Sequence, residues 1–216
     1  MTLRILIVDD HAVVRRGVRS LLESQAGWEI SGEATTGREA VDLAKRLQPD
    51  VVVMDLSLPD LNGLDATRQI LKESPRSEIV VLTMHHSEEL ARTVLQAGAR
   101  GYVLKSDADQ SLIAAVESLR QHKPFLTSTV TEFMLDNYLR RPDMDDAGAA
   151  HAAVTARERE IIQLLAEGQS NKTAASTLGV SVKTIEAHRA NIMRKLHLRS
   201  LSDLVRYAIR NKIVQP

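Results

Sequence analysis

The sequence predicts an α/β fold followed by an all-α one, and three observations carry that expectation. The first 123 residues alternate short apolar runs with helical patterns, and runs such as "VVVM" at 51–54 contain no polar residue. Strands of that kind are buried on both faces, which implies a parallel sheet covered by helices on each side. From Thr155 onward every signal is helical. The charge divides in the same way: residues 1–150 carry 17 Lys+Arg against 23 Asp+Glu, a net of −6, and residues 151–216 carry 11 against 5, a net of +6. An acidic part followed by a compact basic part points to two tasks, the second facing an anion such as nucleic acid.

The predicted strands are Arg4–Val8, Glu29–Ala34, Val51–Met54, Ile79–Thr83 and Gly101–Leu104, with helices near 11–24, 37–47, 62–73, 87–97 and 107–122. In "HAVVRRGVRSLLES" the residues Val14, Val18, Leu21 and Leu22 recur on one helical face. The chain changes character over 124–153. There "TSTVTEFMLDNYLRR" predicts a helix at about 128–140, with Val130, Phe133, Met134 and Tyr138 as its apolar face. "RPDMDDAGAAHAA" has no apolar period and reads as a flexible linker. Next, "TARE" is a capping box in which Thr155 caps the first turn and Glu158 reaches back. Gly168 ends that helix, a short second helix stops at Gly179, Ser181 caps a third, and Ser200 with Asp203 opens a fourth. The expected organisation is therefore 1–123, a connection over 124–153, and 154–216.

Composition narrows the function. With 44% apolar and 26% charged residues the chain is globular, and 3% aromatic residues leave little for an extensive base-stacking surface. No run approaches the ~20 apolar residues that span a bilayer, so no membrane partner is expected. No charged segment followed by a long apolar core opens the sequence, so no signal peptide is expected. The absence of cysteine rules out disulfide and thiol chemistry and fits a cytoplasmic setting.

The chemistry lies at the strand ends. "RILIVDDH" runs four apolar residues into Asp9 and Asp10, and "VVVMD" runs into Asp55. Sheets of this type carry their sites beyond the carboxyl ends of the strands. Three carboxylates meeting there repel one another unless a cation intervenes, and a small hard cation, Mg²⁺ where phosphate is handled, suits oxygen ligands. Thr83 ends the fourth strand and Lys105 follows the fifth; a hydroxyl donor and a positive charge together suit an incoming phosphoryl group. Each residue alone is as well explained by a cap, a strand position or a solvated charge. Five of them in order at four strand ends are not.

On these residues, 1–123 resembles the receiver domain of bacterial two-component response regulators. The resemblance implies a flavodoxin-like fold, a five-stranded parallel sheet of order 2-1-3-4-5. It implies Asp55 as the phosphorylated aspartate, with Mg²⁺ (or Mn²⁺) held by Asp10, Asp55 and the backbone carbonyl of Ser57, and by Asp9 through water. Thr83 and Lys105 match the phosphoryl contacts, and Tyr102 the aromatic switch residue, expected to turn inward as Thr83 moves toward the phosphoryl group. Pro59 and Gly63 match the loop after the phosphoacceptor. One departure is Ser106, where many receivers have a proline after a cis bond; without proline a cis bond costs about 2.5–4 kcal/mol.

Residues 155–213, through "VTARERE" and "LLAEGQSNKTAASTLGVSVKTIEAHRANIMRKLHLRS", resemble the LuxR-type helix-turn-helix of the NarL/FixJ regulators, a four-helix domain. The third helix then enters the major groove of double-stranded DNA. Ile185, Ile192 and Leu196 fall on one face, assigned to the core, while Glu186, Ala187, Ala190 and Asn191 are candidates to face base edges. A glutamate accepts from cytosine N4, and alanine methyls touch thymine. Lys183, Thr184, Arg194, Lys195 and Arg199 are candidate phosphate contacts; Arg189 stands where family members often carry an apolar residue, and His188 is expected to be a buried hydrogen-bonding residue.

The expected function is a phosphorylation-controlled transcription regulator, not an enzyme beyond its own phosphorylation and dephosphorylation. A sensor histidine kinase would be its phosphodonor, and it would form a homodimer on activation or on DNA. Two alternatives stand beside it. One keeps the DNA binder but makes the first domain a phosphate-independent dimerisation module. The other is an aspartyl-phosphate phosphotransferase or phosphatase. The haloacid-dehalogenase type needs a second aspartate two residues after the nucleophile, where Ser57 stands here.

Overall fold

A computed structural model describes residues 2–84, 88–127, 131, 154–211 and 213–214. The chain divides into two compact units after Pro142. In the first, β1 (Leu3–Val8), α1 (Ala12–Glu23), β2 (Trp28–Ala34), α2 (Gly37–Leu47), β3 (Val51–Met54), α3 (Gly63–Glu73), β4 (Glu78–Thr83), α4 (Glu88–Gln96), β5 (Gly101–Leu104), a 3-10 turn (Lys105–Asp107), α5 (Ala108–Arg120) and β6 (Phe125–Leu126) follow in order. All strands pair parallel, in the order β2-β1-β3-β4-β5-β6. The five expected strands lie in the expected order. β6 is an addition: two residues leave no period to read, and Phe125 and Leu126 join the sheet by pairing with Gly101 and Tyr102. The sheet therefore runs past residue 123. The helix expected at about 128–140 falls, but for Thr131, outside the described residues.

Period 2 along the strands feeds two separate cores. Ile5, Ile7, Val51, Val53, Val80, Leu82 and Val103 face α1 and α5, where Val18, Leu22, Leu112, Val116 and Leu119 meet them. Leu6, Val8, Val52, Met54, Val81 and Leu104 face Ala40, Ala44, Ala66, Ile70, Leu90 and Val94 of α2, α3 and α4. Both faces are covered, which is why β3 tolerates no polar residue. Val8 pairs with Met54 across β1 and β3, and Thr83 with Leu104 across β4 and β5. That register brings Asp9 and Asp55 to the same level beyond the sheet, with Thr83 and Lys105 beside them.

The second unit is a helical domain of α6 (Ala156–Ala166), α7 (Asn171–Thr177), α8 (Val182–Lys195) and α9 (Leu201–Arg210). Three are capped as the sequence predicts, and Ser170 adds a cap to α7. The Thr155 hydroxyl accepts from Glu158 N while Glu158 reaches back to Thr155 N, and Ser170, Ser181 and Ser200 accept from Thr173, Thr184 and Asp203. Such caps contribute about 1 kcal/mol each. Gly168 and Gly179 end α6 and α7 with φ of 83° and 64°, a conformation that costs a side-chain-bearing residue. Ile161, Ile162, Leu164, Leu165, Ile185, Ile192, Leu204 and Ala208 form the core. No helix among the described residues is long and apolar enough to cross a membrane.

Candidate functional site

The acidic corner is built by the ends of β1 and β3. Asp9 and Asp55 are each 2% exposed, and Thr83 is fully buried. Burial of two carboxylates demands a cation, and Lys105 supplies one. Its Nζ lies 2.7 Å from Asp9 Oδ2 and 2.9 Å from Asp55 Oδ2. Asp55 Oδ1 accepts from Leu56 N at 2.7 Å. Burial pushes the Asp55 carboxyl above its usual range, the charge and hydrogen bond of Lys105 oppose that, and the Asp9 charge adds to it. Burial also disfavours the Lys105 ammonium, but Asp9 and Asp55 outweigh burial and hold its pKa above the usual lysine value. The pocket thus holds a positive charge beside a carboxylate that is almost wholly shielded from water.

Asp10 is more exposed than its neighbour and takes the His11 imidazole, whose Nδ1 lies 2.7 Å from Asp10 Oδ1 and 3.4 Å from Asp9 Oδ1. One donor atom each from Asp9, Asp10, His11 and Asp55 lies within 4.8 Å of the others. Three carboxylates in that space form a hard oxygen set, and they fit a small divalent cation. His11 was not singled out from the sequence, although it directly follows the Asp-Asp pair. Arg15 was missed too. Its Nη1 donates to the Asp9 carbonyl oxygen at 2.8 Å.

The loop after Asp55 is held close. Gly63 N donates to Leu56 O, and a Cβ on Gly63 would collide with the Asp55 carbonyl oxygen. Only glycine lets α3 start here. Among the described residues no peptide bond is cis, Lys105–Ser106 included. The Tyr102 ring is fully buried in the core facing α2, α3 and α4, and burial pushes its phenol up to about 12. The inward turn expected of Tyr102 is already the arrangement in this structure.

In the second unit α8 buries Ile185 and Ile192 and partly buries Leu196, as its period predicts. Glu186, Ala187, Ala190, Asn191, Lys183, Arg194 and Arg199 are exposed on it or just beyond, and Arg189 is half-buried. Thr184 Oγ1 is tied to the Ser181 hydroxyl at 2.8 Å, and Arg194 donates to Asn191 Oδ1 at 3.0 Å. One expectation changes. His188 is half-buried rather than buried. Lys195, a candidate phosphate contact, is exposed and has Nζ 2.8 Å from Glu158 Oε2, the capping-box glutamate of α6.

A buried carboxylate with a lysine and a threonine at the C-terminal edge of a parallel sheet, followed by a capped helix-turn-helix unit, defines a signal-receiving DNA-binding protein. Residues 5–117 match the response regulator receiver domain family and residues 152–208 the luxR family of bacterial regulatory proteins. The chain belongs to the two-component response regulators that carry a LuxR-type DNA-binding domain. It is 38% identical over 217 residues to the oxygen regulatory protein NreC of Staphylococcus epidermidis, covering 99% of this chain and 100% of that protein. A LuxR-family two-component response regulator from Aurantimonas sp. SI85-9A1 is similar at 35% identity with a TM-score of 0.62, over 64% of this chain and 99% of that one. The response regulator RcsB in its DNA complex matches at 27% identity and a TM-score of 0.60, over 96% of this chain and 98% of that one.

Proposed function

We propose that Asp55 accepts a phosphoryl group from a sensor histidine kinase and that the phosphorylated chain regulates transcription as a homodimer on DNA, in the cytoplasm. The observation that carries this reading is the Lys105 ammonium, lodged between Asp9 and Asp55 beside the buried Thr83. A carboxylate that attacks a phosphoryl donor forms an acyl phosphate, and the transfer needs charge neutralisation and alignment more than a strong base. Lys105 neutralises one phosphoryl oxygen, and the Thr83 hydroxyl donates to another. Asp10, Asp55 and the Ser57 carbonyl would hold Mg²⁺, with Asp9 acting through water; the ion supplies the remaining charge neutralisation when bound.

On the DNA side, Glu186, Ala187, Ala190 and Asn191 face base edges, Lys183, Thr184, Arg194 and Arg199 face phosphates, and Arg189 stands among them on the same helix. What supports this is the exposure of Lys183, Glu186, Ala187, Ala190, Asn191 and Arg194 on α8, away from the buried Ile185 and Ile192, and of Arg199 just beyond it; Thr184 and Arg189 are half-buried. Phosphorylation biases an equilibrium through Thr83, beside a Tyr102 ring that is already turned inward, a coupling typically worth about 1–3 kcal/mol.

The test is incubation of the full chain with acetyl phosphate and Mg²⁺, followed by intact-mass measurement. Wild type gains one phosphoryl mass and Asp55→Asn does not; an equal gain in Asp55→Asn overturns the assignment. DNA affinity and sedimentation with and without beryllofluoride, in wild type and Thr83→Ala, test the coupling. It fails if beryllofluoride binds wild type and changes neither.

A further inference from the structure

We infer that Arg15, braced by Glu33, is a positioning residue for the metal-binding acids, an inference that rests on the Mg²⁺ site proposed above. The two peptide units that flank Asp9 are each held by one hydrogen bond. Asp9 N donates to Ala34 O on β2 at 3.2 Å. The carbonyl oxygen of the same residue accepts from Arg15 Nη1 at 2.8 Å. Arg15 is itself held by Glu33, the neighbour of Ala34, at 3.3 Å from Nε to Oε2, and the other Glu33 oxygen takes Arg19 Nε at 2.8 Å. Its side chain is 16% exposed, so the grip is sheltered from water.

That carbonyl belongs to the Asp9–Asp10 peptide. If the peptide plane rotates, the Asp10 side chain leaves the pocket while Asp9 stays with Lys105. Among the described residues, Arg15 is the donor that reaches this carbonyl. A guanidinium suits the task because its planar fork binds a carbonyl and a carboxylate at once; an ammonium is a point charge without that fork. Arg15 thereby sets the direction of Asp10 toward the cation without touching it. Partners that orient metal ligands in this way typically change metal affinity 10–100-fold when removed.

A simple charge argument makes the opposite prediction. Arg15 is a cation near a cation site, so removing its charge should tighten Mg²⁺ binding and a lysine in its place should leave binding unchanged. Orientation predicts that Arg15→Gln and Arg15→Lys both weaken binding.

The experiment is titration of Mg²⁺ into the full chain by calorimetry, with Mn²⁺ binding followed by electron paramagnetic resonance as a direct count of bound ion. We expect about a tenfold loss of affinity in Arg15→Gln, a smaller loss in Arg15→Lys, and a loss in Glu33→Gln, which leaves Arg15 in place but unbraced. Thermal midpoints separate these losses from unfolding, and Glu33→Gln and Arg15→Lys carry the test if Arg15→Gln does not fold. Tighter binding in Arg15→Gln, or unchanged affinity in both Arg15 variants while Asp10→Asn loses the ion, overturns the role of Arg15. Undiminished affinity in Asp10→Asn instead overturns the metal site on which it rests.

Discussion

Substituting Gly63 by alanine tests how tightly the phosphoacceptor is built into the fold. The new Cβ would sit on the Asp55 carbonyl oxygen and 2.8 Å from both the Asp55 carbonyl carbon and Leu56 Cα. Carbon atoms rest at ~3.5–4.0 Å, so the contact to each is about 0.7–1.2 Å too short. All three atoms are main chain, at the end of a strand whose Asp55 N is bonded to Val8 O at 2.9 Å. No flexible side-chain end is available to yield; either α3 or the Asp55–Leu56 peptide must move. Overpacking of this kind costs about 1–3 kcal/mol, and the main-chain obstruction puts Gly63→Ala at the upper end of it. For a unit of this size that lowers the thermal midpoint by roughly 6–15 °C. Because the displaced atoms belong to Asp55 itself, phosphorylation slows more than stability alone explains; a misplacement of about 1 Å costs on the order of 100-fold in rate. Calorimetry of the full chain, with acetyl phosphate turnover measured well below the midpoint, checks both effects. A midpoint within 1–2 °C of wild type, with an unchanged rate, would refute the reasoning.

Three further outcomes are expected. Asp203, whose pKa is held down to about 2 first by Arg206 and then by the Ser200 hydroxyl and the Arg199 amide, contributes stability that is present above its unfolded pKa and is lost as pH falls through about 2. Asp203→Asn should therefore lower the melting temperature of the C-terminal unit at pH 7, with the difference closing as the pH approaches 2; a constant difference by circular dichroism counts against it. Lys183→Met should flatten the salt dependence of DNA binding by about one phosphate contact. Lys195→Met, because its charge is matched by Glu158 at 2.8 Å, should leave the slope nearly unchanged and destabilise the unit slightly; equal slope losses by anisotropy would return Lys195 to the phosphate contacts. Glu186→Ala should change which sequence is preferred, and a uniform loss across sequences would remove it from base reading.

The sequence by itself determined what depends on near neighbours. Strand and helix order follow from periods of 2 and 3.6, visible within a few residues, and so the unbroken apolar run of Val51–Met54 announced a strand covered on both faces. Caps were legible for the same reason: Thr155 and Glu158, or Ser200 and Asp203, lie three positions apart. Even the grouping of Asp9, Asp55, Thr83 and Lys105 was readable, because a parallel sheet brings all its strand ends to one edge. What only the tertiary structure decided are pairings whose members are far apart in the chain. Lys105 finds Asp55 across 50 residues, Lys195 finds Glu158 across 37, and Arg15 finds Glu33 across 18. No periodicity encodes such a pair. It exists because β-register, helix packing and side-chain length together put two atoms within reach, and each candidate cation had several acids it could have met. Two-residue β6 and the buried Tyr102 ring belong to the same category: Phe125 and Leu126 become a strand, and Tyr102 a core residue, because the neighbouring edge of β5 and the face of α4 are there to receive them.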